Sequence, residues 1–243
     1  MEQIVIQPLS AKPALSAAGI FAAVAPQAKP NYLNAFHCGA ASPEQFDITT
    51  PLRISHFLAQ ILHETGGGMV LWENLTYTKV ARILAIFGVG HHSAAVRPNE
   101  APGLVRNPQA LAERVYGLGN PRTARVLGNT KPGDGYRYRG GGMLQTTGGA
   151  NYRKMGELTG ADFYGEPDLI VAPEHALKPA LHLWADAGLN AAADKNDIRA
   201  ITKAINGGTI GLAQRQAWFE KVWPIASGGG ALPDTAGAAV PIA

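Results

Sequence analysis

Apolar side chains recur along most of this chain at intervals of three and four residues, the spacing that gathers them on one face of an α-helix. The clearest stretch runs from Leu52 to His63, with Pro51 at a favourable first-turn position. Helices are predicted over Leu15–Val24, Leu52–His63, Thr78–Phe87, Pro108–Val115, Tyr152–Leu158, Ala172–Ala187, Asp197–Ile205 and Leu212–Trp223. The alternation typical of β-strands is scarce, so the pattern predicts a mainly α protein.

Glycine-rich segments connect the predicted helices, most clearly Gly128–Gly142 and Gly207–Gly211. Helices joined in this way favour a two-lobed helical domain with a cleft lined by loops. We assign residues 1–226 to this single domain. Residues 227–243 are rich in small residues and proline and lack periodic apolar positions, so we expect a flexible C-terminal tail there.

The helix predicted over Leu52–His63 carries a polar stripe opposite its apolar face, and we expect this stripe to line the cleft. The stripe consists of His56, Gln60, His63 and Glu64. Because glycine favours helix ends and tight turns, Gly66–Gly68 should end the helix and turn the chain before Trp72. Glu73 would then face Glu64 from another direction.

Two carboxylates in such an arrangement can cut a glycosidic bond, because one acid protonates the leaving oxygen and one carboxylate activates water or attacks the sugar. Glu64, beside a helix end and an apolar wall, is the candidate for a raised pKa and for the acid. Glu73, on a loop beside Asn74 and Thr76, is the candidate to remain ionised. A separation of roughly 6.5–9.5 Å would favour the inverting route and about 5 Å the retaining route. From spacing alone, two ordinary surface glutamates are an equal alternative.

The segment from residue 133 to residue 152 combines aromatic and amide side chains with many glycines. The ring of Tyr138 can cover the apolar face of a sugar. Gln145, Thr147 and Asn151 offer donors and acceptors suited to hydroxyl and acetamido groups. A phosphate-binding loop is disfavoured because the segment lacks a Gly-Lys-Ser/Thr ending. The segment therefore predicts a sugar-binding surface.

Together these motifs resemble glycoside hydrolase family 19, which comprises chitinases of plants and bacteria and the lysozyme-like endolysins of bacteriophages. The resemblance rests on His63–Gly67, Glu73–Leu75, Tyr138–Gly148, Asn151–Tyr152 and Ile205–Gly208. It covers roughly Leu15 to Trp223, and the short gap between Glu64 and Glu73 resembles the compact phage and bacterial branch. The resemblance implies a mainly helical, lysozyme-like fold.

The resemblance also implies roles for individual residues. It implies Glu64 as general acid, Glu73 as general base and Thr147 as the residue that holds the attacking water, which is an inverting mechanism. Sugar contacts are implied or predicted for Gln145, Asn151, Tyr138, Asn206, Arg215 and Gln60. The chain departs from the family at Gly141, where an arginine is usual, and at Gly68, where a bulky aromatic residue often stands. These departures predict a looser cleft or an altered substrate preference.

Composition limits the remaining function classes. The formal net charge of +3 favours an anionic surface such as a bacterial cell wall, and no run of lysine and arginine supports nucleic-acid binding. Cys38 is the single cysteine, so no intramolecular disulfide forms, which fits a reducing cytoplasm. His56 and His63 lack the His-Glu-x-x-His spacing of a zinc site, so we expect no metal and no other cofactor.

The stretch Ala14–Ala25 superficially resembles a signal peptide. It is shorter than the roughly 20 residues that span a bilayer and begins well inside the chain, so a buried helix explains it better. We therefore expect no signal peptide and no stable membrane insertion. Export would then depend on a pore made by a partner, such as a holin.

The leading hypothesis is a monomeric, peptidoglycan-degrading endolysin, lysozyme-like, that hydrolyses β-1,4 bonds between amino sugars. It would wait in the host bacterial cytoplasm and act on the cell wall in the periplasm after release. A chitinase of the same family and a secreted antibacterial cell-wall toxin are the alternatives with the same chemistry. A non-catalytic glycan-binding protein is the alternative from another class, although it would not need both acids.

Overall fold

The computed structural model describes residues 16–233, and α-helices dominate this range. They are α1 Ala17–Val24, α2 Pro30–Cys38, α3 Pro51–Glu64, α4 Val80–Phe87, α5 Pro108–Val115, α6 Pro121–Leu127, α7 Asp134–Arg137, α8 Gly149–Thr159, α9 Lys178–Asp186, α10 Leu189–Asp194, α11 Ile198–Asn206 and α12 Leu212–Ala226. Short 3-10 helices cover Pro43–Phe46, Ala101–Leu104 and Pro167–Val171. The prediction of a mainly α protein is confirmed.

The predicted helices are present, with differences at their ends. The bounds predicted for α5 are correct, and α3 extends one residue further at each end than predicted. The stretch predicted as a helix from Ala172 begins only at Lys178, because Pro179 lacks an N–H and fits only the first helical turn. Helices α2, α6, α7 and α10 were not predicted. Leu15, the predicted start of α1, lies outside the described residues.

The larger lobe is built around α3. Its apolar face, including Phe57 and Ile61, is buried among side chains of α1 and α9. Phe57 meets the Trp184 ring of α9 edge to face at 5.3 Å, and Phe219 of α12 belongs to an adjoining cluster. Burial of this continuous apolar surface is the main force that holds the lobe together. None of the helices within residues 16–233 has the length and apolarity needed to span a bilayer.

A second, smaller lobe is formed by α4, α5 and the intervening turns, with Ile83 and Leu111 in its core. A third cluster of buried side chains surrounds α8. The segment that follows α3 runs across these cores: Leu71 packs against the first and third clusters, and Leu75 is buried in the second. Glu73 therefore lies on the connection between the lobes. The prediction of two lobes with a cleft is confirmed.

A glycine turn ends α3 and redirects the chain, as the sequence predicts. Gly66, Gly67 and Gly68 all adopt left-handed backbone conformations, with φ of 56°, 74° and 82°. The Gly68 N–H donates to Thr65 Oγ1 at 2.9 Å, and the Gly68 carbonyl accepts from the Lys29 N–H at 2.9 Å. A Cβ at Gly68 would lie 2.5 Å from the Ala28 Cβ. The turn is thus docked on the larger lobe and has no room for the bulky residue that the family often carries.

The segment 227–233, predicted as part of a flexible tail, is anchored to the domain. Trp223 Nε1 donates to the carbonyl oxygens of Gly230 and Ala231, at 3.1 and 2.7 Å. Asn196 Nδ2 donates to the Pro233 carbonyl at 3.1 Å. These contacts could not be predicted, because an apolar pattern does not show which backbone carbonyls accept hydrogen bonds. Residues 234–243 of the predicted tail lie outside the described residues.

We predict that Gly68→Ala destabilises the protein more than Gly90→Ala. Both glycines have φ of 82°, but a Cβ at Gly90 meets no atom within 4 Å. Gly90→Ala should therefore lose only about 1–2 kcal/mol from left-handed strain, whereas Gly68→Ala adds an overpacking cost of about 1–3 kcal/mol. Urea unfolding measures both. Equal losses would show that the contact with Ala28 does not constrain the turn.

Candidate active site

Glu64, the last residue of α3, is held by a buried arginine. Arg215 projects from α12, and its Nη2 donates to Glu64 Oε1 in an ion pair. The Arg215 side chain is 1% exposed and that of Glu64 is 20% exposed. The second arm of the guanidinium, Nη1, donates to Gln60 Oε1 at 2.5 Å, one turn earlier on α3. The planar guanidinium thus clamps two side chains of the polar stripe at once.

Most of this stripe faces α12, whereas we expected it to line the cleft. Gln60 is 1% exposed, and the buried His56 ring stacks on Phe219 with its Nε2 2.8 Å from Asn196 Oδ1. Burial lowers the pKa of His56 to about 4. The expectation was wrong for these residues because α12 covers the face that the helical spacing gives to them. Gln60 and Arg215, expected to contact sugar, instead position Glu64.

Glu73 occupies a different environment. Its Oε1 accepts a hydrogen bond from the Tyr116 hydroxyl at 2.7 Å, and its N–H donates to the Gly140 carbonyl at 2.7 Å. Burial raises the pKa of the Glu73 carboxyl, while Tyr116, the Gly140 backbone and the charge of Arg139 act in the opposite direction. From its place on a loop, Glu73 was predicted to ionise readily. Its burial could not be predicted in this way, since the loop that carries Glu73 packs between the lobes.

Three predicted side chains converge on Gly140. A Cβ at that position would lie 3.3 Å from Glu73 Cβ, 3.2 Å from Gln145 Oε1 and 3.3 Å from Thr147 Oγ1. The Thr147 hydroxyl donates to the Gln145 carbonyl at 2.9 Å, and Gln145 Nε2 donates to the Gly142 carbonyl at 3.0 Å. With its proton engaged, the Thr147 oxygen can accept a hydrogen bond from a water molecule near Glu73.

A pocket of about 330 Å³ continues from Gln145 and Thr147. Asn151, in the first turn of α8, lines it and donates from Nδ2 to the Thr147 carbonyl at 2.7 Å. Lys154 also lines it, one turn further along α8, and was not singled out in the sequence. Thr146 and six apolar side chains complete the lining: Leu127, Leu144, Met155, Pro179, Leu183 and Ile205. Amide groups above an apolar surface suit an amino sugar.

Two other residues that were predicted to contact sugar form hydrogen bonds within the protein. Tyr138 is 3% exposed, stacks on Tyr164 at 5.0 Å and donates its hydroxyl proton to the Tyr164 carbonyl at 3.1 Å. Its ring is covered by protein, so the predicted sugar contact of Tyr138 is wrong. Asn206 is exposed at the end of α11, where its Nδ2 donates to the Ile210 carbonyl and its Oδ1 accepts from the Gly208 N–H. Asn206 thereby closes the turn before α12.

An arginine that was not predicted as a site residue lies between two aromatic rings beside Glu73. The Arg139 guanidinium lies 4.2 Å from the ring centres of both Trp72 and Tyr136. A Cβ at Gly141 would lie 2.5 Å from the Trp72 ring, so this ring occupies the space of a side chain at position 141. The alternation of tyrosine and arginine from Tyr136 onwards was the available signal.

A carboxyl at the end of a helix and another on the connection between two helical lobes are the groups that a glycoside hydrolase requires. No family model matches the chain. A curated protein of Haemophilus influenzae, described as a "Glycosyl hydrolase family 19 domain-containing protein", is 31% identical over 178 residues, which are 72% of this chain and 81% of that protein. The chain belongs to glycoside hydrolase family 19 and is a glycoside hydrolase.

Solved structures show the same fold. A chitinase C mutant superposes with a TM-score of 0.51 at 17% identity, covering 86% of this chain and 75% of its own. A family 19, class IV chitinase from Zea mays gives a TM-score of 0.50 at 17% identity, covering 85% of this chain and 90% of its own. The lysozyme-like helical fold implied by the resemblance is thereby confirmed. Within residues 16–233, no group of three or more histidine, cysteine, aspartate or glutamate residues is placed to hold a metal ion.

We predict that Arg215→Met lowers the free energy of unfolding by about 3–5 kcal/mol, because it leaves a partly buried carboxylate without its partner. Arg53→Met is the matched control on α3, since the ion pair between Arg53 and Asp194 is 23% and 42% exposed. Solvent screening limits its loss to about 1 kcal/mol. Chemical denaturation measures both variants, and equal losses would contradict the account of Arg215.

We predict that Tyr116→Phe raises the pKa of Glu73 further, because it removes the hydrogen bond that favours the ionised carboxylate. If activity requires ionised Glu73, the loss of activity on the acid side of the pH profile should move to higher pH. Carboxyl-carbon NMR titration measures the pKa directly. Tyr77→Phe is the control, since Tyr77 lies near Glu73 without a hydrogen bond to it among the described residues. A titration of Glu73 unchanged by Tyr116→Phe would refute the role of the tyrosine.

Proposed function

We propose that this enzyme is an endolysin that hydrolyses β-1,4 bonds between the amino sugars of peptidoglycan by an inverting acid/base mechanism. The convergence of Glu73, Thr147 and Gln145 on Gly140 is the observation that carries the proposal. It brings the Cβ of Glu73 and the hydroxyl oxygen of Thr147 to the same residue, which supports a water held between Thr147 and the Glu73 carboxylate. Glu64 comes from a separate element and supplies the acid.

Glu73 acts as the general base in this proposal. A raised pKa makes a carboxylate a stronger base, provided that it is ionised at the working pH, and the Tyr116 hydroxyl and the Arg139 charge favour that ionised form. The water donates one proton to Glu73 and is oriented by the oxygen of Thr147. Its oxygen attacks the anomeric carbon from the face opposite the leaving group, which inverts the configuration.

Glu64 acts as the general acid. Arg215 binds Oε1, and within residues 16–233 no hydrogen bond to Oε2 is formed. In the protonated acid Oε1 can remain the carbonyl oxygen that accepts from Arg215, while Oε2 carries the proton for the leaving oxygen. The clamp therefore fixes which oxygen reaches the substrate. Gln60 and Arg215 are positioning residues in this mechanism.

In the proposed function the enzyme is stored in the host bacterial cytoplasm, leaves through a holin pore and acts as a monomer on the cell wall in the periplasm. The net charge of +3 suits an anionic wall. Chitin hydrolysis is the second candidate, because the two solved structures described above are named chitinases. A secreted antibacterial toxin would share the substrate and add an immunity partner.

We predict that the enzyme releases muropeptides with ordinary reducing ends from purified peptidoglycan, as identified by mass spectrometry. Glu64→Gln and Glu73→Gln should each reduce release about 10²–10⁴-fold, since each removes one half of the acid/base pair. Glu166→Gln, on the turn before the 3-10 helix at Pro167–Val171, is the surface control and should retain activity.

Chitin oligosaccharides form the parallel substrate. Release of fragments from chitin alone would show that the enzyme is a chitinase and not an endolysin. Undiminished cleavage by Glu64→Gln would refute its assignment as the acid. Binding without cleavage by the unaltered enzyme would indicate a glycan-binding protein.

A further inference from the structure

The pocket beside Gln145 and Thr147 has one charged group in its lining. Lys154 is the single titratable residue among the side chains that line it. Lys154 lies on α8 one turn after Asn151, whose amide is already bound to the Thr147 carbonyl. The pocket therefore extends from Gln145 and Thr147, which lie near Glu73, to the ammonium group of Lys154.

The charge of Lys154 is not neutralised by the protein. Within residues 16–233 the ammonium group forms no ion pair. Glu157, the nearest acid along α8, lines a separate pocket together with Arg153 and Tyr164. Glu157 follows Lys154 by three positions on α8, yet within residues 16–233 the two side chains form no ion pair. An anionic group that enters the pocket would meet an ammonium group that no ion pair engages.

We propose that Lys154 binds a carboxylate of the glycan substrate and thereby selects acidic glycan strands over neutral ones. This inference rests on the proposed function and specifies its substrate class. Chitin carries only hydroxyl and acetamido groups, with which Gln145 and Asn151 can form hydrogen bonds. Peptidoglycan adds carboxylates, which stand on the stem peptide or, where the stem peptide is absent, on the lactyl ether to which the peptide is otherwise joined by an amide bond. The apolar lining of the pocket suits the methyl groups that flank such a carboxylate.

The test compares substrate selectivity, defined as kcat/KM on soluble peptidoglycan strands divided by kcat/KM on a chitin hexamer. Lys154→Gln keeps a polar side chain without the charge and should lower this ratio about tenfold, because a hydrogen bond to a charged group contributes that much discrimination. Lys154→Glu should lower it further through repulsion. The effect should appear mainly in KM and shrink as salt is added.

Lys203→Gln is the matched control, an exposed lysine on α11 that does not line the pocket. It should leave the ratio unchanged. Thermal unfolding verifies that the variants are folded. A second peptidoglycan sample, stripped of stem peptides by an amidase, separates the two sources of the carboxylate. Intact strands offer the carboxylates of the stem peptide, whereas the amidase frees the lactyl carboxylate. A ratio lowered on intact strands therefore supports the stem peptide, and a ratio lowered only on stripped strands supports the lactyl carboxylate.

Two outcomes would overturn the inference, and they differ in what else they affect. If the unaltered enzyme cleaves peptidoglycan and Lys154→Gln keeps its selectivity, the inference fails while the proposed function stands. If the unaltered enzyme cleaves only chitin, the inference and the proposed function fail together.

Discussion

The contact between the buried Arg215 guanidinium and α3 fixes the position of Glu64, the acid of the proposed mechanism. A cation with 1% exposure has lost nearly all its hydration, so it requires partners within the protein. Gln60 and Glu64 provide them from successive turns of α3. This contact lies where α12 packs along α3. The position of the Glu64 carboxyl therefore depends on the packing of the larger lobe.

Glu64 and Glu73 lie on different elements of the fold, and their side chains therefore have different environments. The glycine turn at 66–68 ends α3 at Glu64 and leads the chain across to the smaller lobe. Glu73 is reached on that crossing, where burial raises its pKa and the Tyr116 hydroxyl moderates the effect. One carboxyl is thus oriented by an ion pair and the other by a neutral hydrogen bond. Such unlike surroundings allow two identical side chains to take opposite roles.

The sequence predicted those features that depend on local pattern. Apolar spacing located α3 and α12, and the glycine run predicted the turn after Glu64. Residue type alone could not say which polar side chains the tertiary packing covers, so the buried Gln60 and Tyr138 were expected to contact sugar. Tyr116 was missed because it is far from Glu73 in the chain and reaches it only through the arrangement of the lobes.

The stereochemistry of the first product tests the central claim, that Glu73 activates water while Glu64 protonates the leaving oxygen. Real-time proton NMR of the reducing ends formed in the first minutes of hydrolysis distinguishes the anomers before mutarotation mixes them. A single displacement at a β-1,4 bond predicts the α-anomer as the initial product. The β-anomer as the initial product would require a covalent or substrate-assisted route and would contradict the role given to Glu73.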